Sequence, residues 1–253
     1  MIALSVNVNK VATLRNSRGG DKPSVLWAAS TCIATGCQGI TVHPRADQRH
    51  IRPSDVREVA AMLKDHPGIE YNIEGDARSD LLDLAIDVKP DQCTLVPVHP
   101  GEVTSDHGYR FPEDAESLRA PVTRLKDAGI RVSIFVEAGV ENLEIAREIG
   151  VDRIEFYTGP FAESYANTEE HGARVFQSHI ATATAAVELG MGINAGHDLD
   201  LENLTLYRDL PGLAEVSIGH AIMCDALESG LAPTVRNYLN VLAGQPVSAG
   251  GPA

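Results

Sequence analysis

The stretch Asn142-Leu-Glu-Ile-Ala-Arg-Glu-Ile149-Gly150-Val151-Asp-Arg153-Ile-Glu155-Phe-Tyr157 decides the fold. Its first half spaces apolar residues at helical period, its second half is a short apolar run, and Gly150 stands between them. A glycine just past a helix accepts the left-handed conformation that satisfies the last carbonyls, so the junction marks a helix end and a strand start. The same junction recurs at Gly36, Gly68, Gly129, Gly190 and Gly212, and Lys89-Pro90 supplies a seventh turn without glycine.

These turns separate eight strand-plus-helix units, with strands expected at 3–6, 39–42, 69–73, 92–96, 131–136, 153–157, 192–195 and 215–218. Strict alternation implies a parallel sheet, and eight units fit a (β/α)8 TIM barrel better than an open doubly wound sheet. Such barrels routinely fill about 200 to 250 residues as one domain. Residues 1–245 of the 253 therefore read as a single domain, and 246–253 as a frayed tail.

Twenty-one Lys and Arg against 35 Asp and Glu leave a net charge of −14, a mean field that repels nucleic acid and anionic lipid. A small anionic substrate must then be held by local donors such as Arg side chains, backbone N–H groups and helix N-termini. Neither a basic segment leading into an apolar run nor a stretch long enough to span a membrane is present, which predicts a cytoplasmic protein. Cys32, Cys37, Cys93 and Cys224 are too scattered for a disulfide framework and read as buried thiols.

Segments entering the strands are tight, whereas those leaving them at 7–22, 96–113 and 158–168 are long enough to bind or cover something. Active sites of such barrels lie where strands end. The polar residues expected there are Asn7, His43 with Arg45, Glu70 and Glu74, Glu137, Glu155 with Thr158, His197 with Asp198, and His220. Each has a plain structural reading as well, since a glutamate inside a strand can be one member of a buried salt bridge. As a set they fit acid–base chemistry on a carbonyl compound. Gly196 and Gly219 leave backbone N–H groups open to an anion, and Arg15 and Arg18 in the first long loop suggest a closing clamp. No HxH or HExxH spacing supports a metal among His43, His50, Glu70 and His197. The residues alone reach a barrel enzyme acting on a phosphorylated carbonyl substrate.

Several segments carry a more specific signal. They are Val6-Asn7 with Ala12-Thr-Leu-Arg15-Asn-Ser-Arg18, Gly39-Ile-Thr-Val-His43-Pro-Arg45 with Arg49-His50, and Glu70. Leu95-Val96-Pro97 with Glu102-Val-Thr104, Ile154-Glu155 with Thr158-Gly159, Asn194-Ala-Gly-His197 and Ile218-Gly219-His220-Ala221 complete the set. In this order they resemble the pyridoxine 5′-phosphate synthase family of vitamin B6 biosynthesis. The resemblance implies a barrel with additional helices, assembled as a homo-octamer. It implies condensation of 3-amino-2-oxopropyl phosphate with 1-deoxy-D-xylulose 5-phosphate to pyridoxine 5′-phosphate, phosphate and water. No metal or organic cofactor is implied, and inorganic phosphate is the only small ion expected.

Carried over by residue, the resemblance makes His43 and Glu70 proton acceptors, His197 a proton donor and Glu155 a stabiliser of the transition state. Asn7, Arg18, and the backbone at Asp198, Gly219 and His220 would hold the amino ketone phosphate. Arg45, His50 and Thr104 would hold the deoxyxylulose phosphate, with Asn9 and Lys10 where the family commonly has Asp-His. Asp198 stands where glycine is common, so a carboxylate beside a phosphate is tolerable only if its side chain turns away. The alternatives are an isomerase or aldolase acting on a phosphorylated ketose, and a barrel that binds a sugar phosphate without turnover.

Overall fold

The two-residue period of the strands explains how the barrel is built. The computed structural model describes residues 1–98 and 105–247. The chain runs β1 (Ala3–Asn7), α1 (Asn9–Asn16), α2 (Val25–Thr35), β2 (Gly39–Val42), α3 (Pro53–Leu63), β3 (Glu70–Gly75), α4 (Ser79–Val88) and β4 (Gln92–Leu95). It continues with α5 (Ala115–Asp127), β5 (Arg131–Val136), α6 (Leu143–Glu148), β6 (Arg153–Phe156), α7 (Gly159–Asn167), α8 (Glu169–Glu188) and β7 (Gly192–Ala195). It ends with α9 (Leu204–Tyr207), β8 (Leu213–Ile218), α10 (His220–Ser229) and α11 (Leu231–Leu242).

Each strand pairs in parallel with its chain neighbour, and β8 closes on β1, where Ser5 faces both Gly39 and Ser217. The fold is therefore the expected (β/α)8 barrel, with α1, α7 and α10 as helices beyond the simple alternation. All six junction glycines take positive φ, from 74° at Gly190 and Gly212 to 109° at Gly36, and Lys89 adopts φ 54° in the seventh turn. Residue 104 and the stretch 248–253 lie outside the described residues, which removes Thr104 and most of the anticipated tail from view. Among the described residues no helix is long and apolar enough to cross a membrane.

Val6, Ile40, Ile73, Ile134, Ile154 and Val216 occupy alternate strand positions, are fully buried, and join the apolar cluster with Ala28, Val59, Leu81 and Val122 of the helices. Burial of each larger side chain stabilises the fold by about 1.5–3 kcal/mol. The other alternate positions face the barrel axis. Thr94 of β4 donates to Glu155 of β6 at 3.4 Å, and Asn194 of β7 donates to Gln92 of β4 at 3.4 Å. Contacts between strands that are not neighbours must pass through the interior. The axis is thus filled by a hydrogen-bonded polar stack where such barrels ordinarily hold branched aliphatic side chains.

The floor of that stack holds Glu70. Glu70 opens β3 at the end opposite the mouth, ion-paired with Arg131 and 4.0 Å from Arg153, which in turn lies 3.5 Å from Glu215. At a rise of about 3.3 Å per residue, four residues carry Glu74 roughly 13 Å further along the strand. Glu70 thus lies at the amino end of β3 and Glu74 near its carboxyl end.

The cysteine expectation needs amending. Cys32, Cys37 and Cys93 are buried, but Cys224 is exposed on α10, its Sγ 3.5 Å from His220 Nε2.

Candidate active site

Asn7, at the end of β1, organises the mouth. Its Nδ2 donates to Glu74 Oε2 at 3.3 Å, and its Oδ1 accepts the Asn9 N–H at 3.0 Å. Asn9 Oδ1 in turn accepts the His43 N–H at 2.9 Å, which ties the ends of β1, β2 and β3 together. From across the barrel, Ser217 of β8 donates to Glu74 Oε1 at 3.3 Å. Gly219 rests directly on Asn7, where an added Cβ would lie 3.0 Å from the Asn7 Cβ, so glycine is needed for this close approach. Gly196 is equally constrained, because a Cβ there would overlap the Ser217 carbonyl.

Burial pushes the Glu74 carboxyl up to about 7, against the opposing effects of the Ser217 hydrogen bond and the His197 charge. Glu155, deeper on the axis, is held well above the usual carboxylate range by burial and then by the charges of Glu74 and Glu215. The His43 ring is driven down to about 3 by burial, then by His50 and Arg45. Its buried Nε2 has no hydrogen-bond partner among the described residues, an exception expected where a ligand is awaited. His50, 5.9 Å from His43 between ring centroids, is lowered to about 4 by burial and by the Arg45 and Lys10 charges. His50 Nδ1 accepts the Ile51 N–H at 3.0 Å, which assigns the ring proton of the neutral form to Nε2.

Two separate regions that offer donors to an anion lie at this end of the barrel. Buried Arg45 and His50, with exposed Lys10 nearby, form the first, at the ends of β1 and β2. The second is the N-terminus of α10, where Gly219 is the cap and His220 the first helical residue. Free N–H groups and the helix dipole there suit a phosphate. His197 and Asp198 sit between β7 and α9, with His197 Nδ1 2.7 Å from Asp198 Oδ2. The Asp198 side chain has turned onto the imidazole, as the sequence requires if its backbone is to face an anion.

The first long loop does not supply a paired clamp. Arg15 is 6% exposed, and its guanidinium grips Asp55 at 2.5 and 2.9 Å, anchoring α1 to the N-terminus of α3. A cation consumed by a buried carboxylate is not available to a substrate. Arg18 is exposed in the turn after α1, its N–H donating to the Arg15 carbonyl at 3.3 Å.

Glu74 was legible as the partner of the mouth, because the two-residue period places the fifth residue of a strand, and not its first, at the carboxyl end. Ser217 and Thr94 follow from the same alternation. Arg78 does not: it donates to the Pro44 carbonyl and pairs with Asp76, bracing the chain between His43 and Arg45, and nothing in its local sequence announces this.

These titrations set a stability profile with a definite sign. His43 and His50 stay neutral in the fold yet protonate in the unfolded chain near their ordinary 6.5, so stability falls as pH drops below that value toward 4 and 3. Glu74 and Glu215 keep their protons up to about 7 and 8 against an ordinary 4.5, so their contribution is present at low pH and lost as pH rises from 4.5 through 8. The two trends oppose each other between these windows. Thermal melts should give a broad Tm maximum between about pH 4.5 and 6.5 and a decline by pH 8. A Tm still climbing from pH 6.5 to 8 contradicts the burial of these carboxyls.

Residues 4–244 match the family described as "Pyridoxal phosphate biosynthesis protein PdxJ". The chain is 48% identical to the pyridoxine 5′-phosphate synthase of Leptospira biflexa serovar Patoc, with 96% of this chain and 98% of that protein covered. It is 47% identical to the protein of the same name from Xanthomonas oryzae pv. oryzae, covering 98% and 99%. Among solved structures, 3-hexulose-6-phosphate synthase from Salmonella typhimurium superposes with a TM-score of 0.62 at 16% identity, covering 96% of this chain and 99% of that one. Phosphoribosyl anthranilate isomerase from Thermotoga maritima gives 0.57 at 14% identity, covering 96% and 100%. At such identities these two structures speak to the barrel alone.

Proposed function

The chain belongs to the pyridoxal phosphate biosynthesis protein PdxJ family, and from that premise we propose how its barrel mouth performs the pyridoxine 5′-phosphate synthase reaction. The amine of 3-amino-2-oxopropyl phosphate condenses with the ketone of 1-deoxy-D-xylulose 5-phosphate. Loss of water gives an imine, and ring closure with loss of phosphate and further water gives pyridoxine 5′-phosphate. The observation that carries the reading is the buried carboxyl of Glu74 held between Asn7 and Ser217, with Arg45 and His50 at the end of β2 and the N-terminus of α10 at the same mouth.

Glu74 takes over the proton-accepting role that the resemblance attached to Glu70. A group with a pKa near working pH is both deprotonated often enough and basic enough to remove a carbon-bound proton. His43, neutral and with its buried Nε2 unpartnered among the described residues, accepts a hydrogen bond from the amine or a hydroxyl and, held down at about 3, is the weaker base of the two. Glu155, held protonated by burial, can donate a hydrogen bond to a developing oxyanion. His197 delivers the proton to a departing hydroxyl.

The α10 N-terminus with Asn7, Gly219, His220 and the Asp198 backbone receives the amino ketone phosphate, joined by Arg18 from the α1 loop. Arg45 and His50, with Asn9, Lys10 and Thr104, receive the deoxyxylulose phosphate. An isomerase or aldolase would need the same glutamate and imidazoles but a single anion site, and a passive sensor has no use for a carboxyl poised near neutrality. Family membership also supports cytoplasmic action as a homo-octamer, which light scattering on the purified chain tests.

Mixing the two substrates with the protein should generate pyridoxine 5′-phosphate absorbance and release phosphate in equal amounts; release of phosphate without the pyridine chromophore refutes the condensation. Gly219→Ala should lower kcat/KM by about a hundredfold, because the added methyl displaces Asn7 and with it Glu74. Unchanged steady-state constants for that variant contradict the Asn7 assignment.

A further inference from the structure

Asp198 has a φ of 64°, a left-handed conformation in which a Cβ is disfavoured and glycine rests without cost. The turn that holds it is well fastened. Asn203, 3% exposed, donates from Nδ2 to the Asp198 carbonyl at 3.1 Å and accepts the Asp200 N–H at 3.0 Å. The side chain so placed reaches back to His197, with Oδ2 2.7 Å from Nδ1. Phe135 of β5 and the Tyr157 ring beyond β6 meet the imidazole at centroid separations of 6.4 and 5.8 Å, which limits how it can rotate.

A carboxylate beside a bound phosphate is repelled by it unless a cation claims the carboxylate. Burial raises the Asp198 carboxyl, but the His197 hydrogen bond and the charges of His197 and His220 outweigh it and keep the group ionised. Titratable groups facing this pair are Glu74 from β3, Tyr157 beyond β6 and His220 on α10, with Asp106 and Glu137 facing Tyr157.

We propose that Asp198 is a positioning residue for His197: its carboxylate accepts the Nδ1–H, fixes the tautomer and ring angle, and makes Nε2–H the proton delivered to the substrate oxygen. The Nε2–H bond breaks, an O–H bond forms on the departing hydroxyl, and the neutral Nδ1–H imidazole remains paired with Asp198. This rests on the reading of His197 as the proton donor given above. A carboxylate partner that orients a histidine is a recurring device for selecting which ring nitrogen acts.

The variants Asp198→Gly, Asp198→Asn and His197→Gln separate the possibilities, each assayed for kcat, KM, pH profile and Tm. Asp198→Gly should hold or raise Tm, since the left-handed turn relaxes, while kcat falls about tenfold and KM for the amino ketone phosphate changes less than about twofold. The pH limb that disappears in His197→Gln should move to lower pH in Asp198→Gly, with Asp198→Asn in between. Wild-type kcat and pH profile in Asp198→Gly overturn the inference, as does a lowered Tm with an unmoved limb, which marks a role in holding the loop only. If His197→Gln itself keeps full kcat, the failure lies in the donor assignment and not in the pairing.

Discussion

Replacing Glu74 by Gln should lower kcat by about 10²- to 10⁴-fold, the range that a positioned general base supplies, while the protein stays folded. Gln has nearly the shape of Glu and keeps one oxygen for the Asn7 or Ser217 donor, but it cannot accept a proton. Because burial already disfavours the ionised carboxyl, removing the charge should leave Tm unchanged or raise it above pH 7. The wild-type rate should fall as pH drops below about 7, where Glu74 becomes protonated, and this limb should be missing from the residual activity of the variant. Glu70→Gln provides the contrast, since its carboxylate pairs with Arg131 at the far end of the axis and its loss should leave kcat near the wild-type value. A Glu70→Gln enzyme that loses activity without losing stability would reverse the assignment of the two glutamates.

The second large effect is expected at the barrel floor and has the opposite character. Arg153→Met should destabilise the protein by about 1–3 kcal/mol, the cost of leaving buried hydrogen-bonding groups without their donor. Arg153 is partly buried, lies 3.5 Å from Glu215 and 4.0 Å from Glu70, and donates to Asn194 at 3.1 Å. Without it the buried Asn194 oxygen loses its donor and Glu70 loses one of its two arginines, while Glu215, at 3% exposure, keeps its proton up to about 8. For a chain of this size the loss corresponds to roughly a 6 °C fall in Tm. The kcat of the folded fraction should stay close to wild type, because this cluster lies away from the mouth. A Tm within about 2 °C of wild type would show that the floor charges are solvated well enough to need no partner.

The contrast between these glutamates also measures what was readable beforehand. Gly129 and Gly150 announce left-handed helix ends, and the regular return of such junctions counts eight units without reference to any partner strand. His43, Asn7 and His197 were legible as mouth residues because each ends or follows a strand. The motif around Glu70 does not reveal its depth, which its place as the first residue of β3 sets. Arg15 carries no local mark of its role either: its partner Asp55 lies 40 positions away, and only α3 folding beside α1 brings the carboxylate to it.

Local signals were sufficient for the architecture because a turn conformation and an apolar period are properties of consecutive residues. Those signals fixed the helix ends, the strand count and the parallel order. Charge pairing and proton affinity belong to groups brought together across the barrel. Thus the tertiary structure alone decided that Glu70 is neutralised by Arg131, that Glu74 is buried between Asn7 and Ser217 with its pKa raised, and that Asp198 turns onto His197. The physical reason is that desolvation and Coulomb attraction depend on distance in space, which the order of residues along the chain does not state.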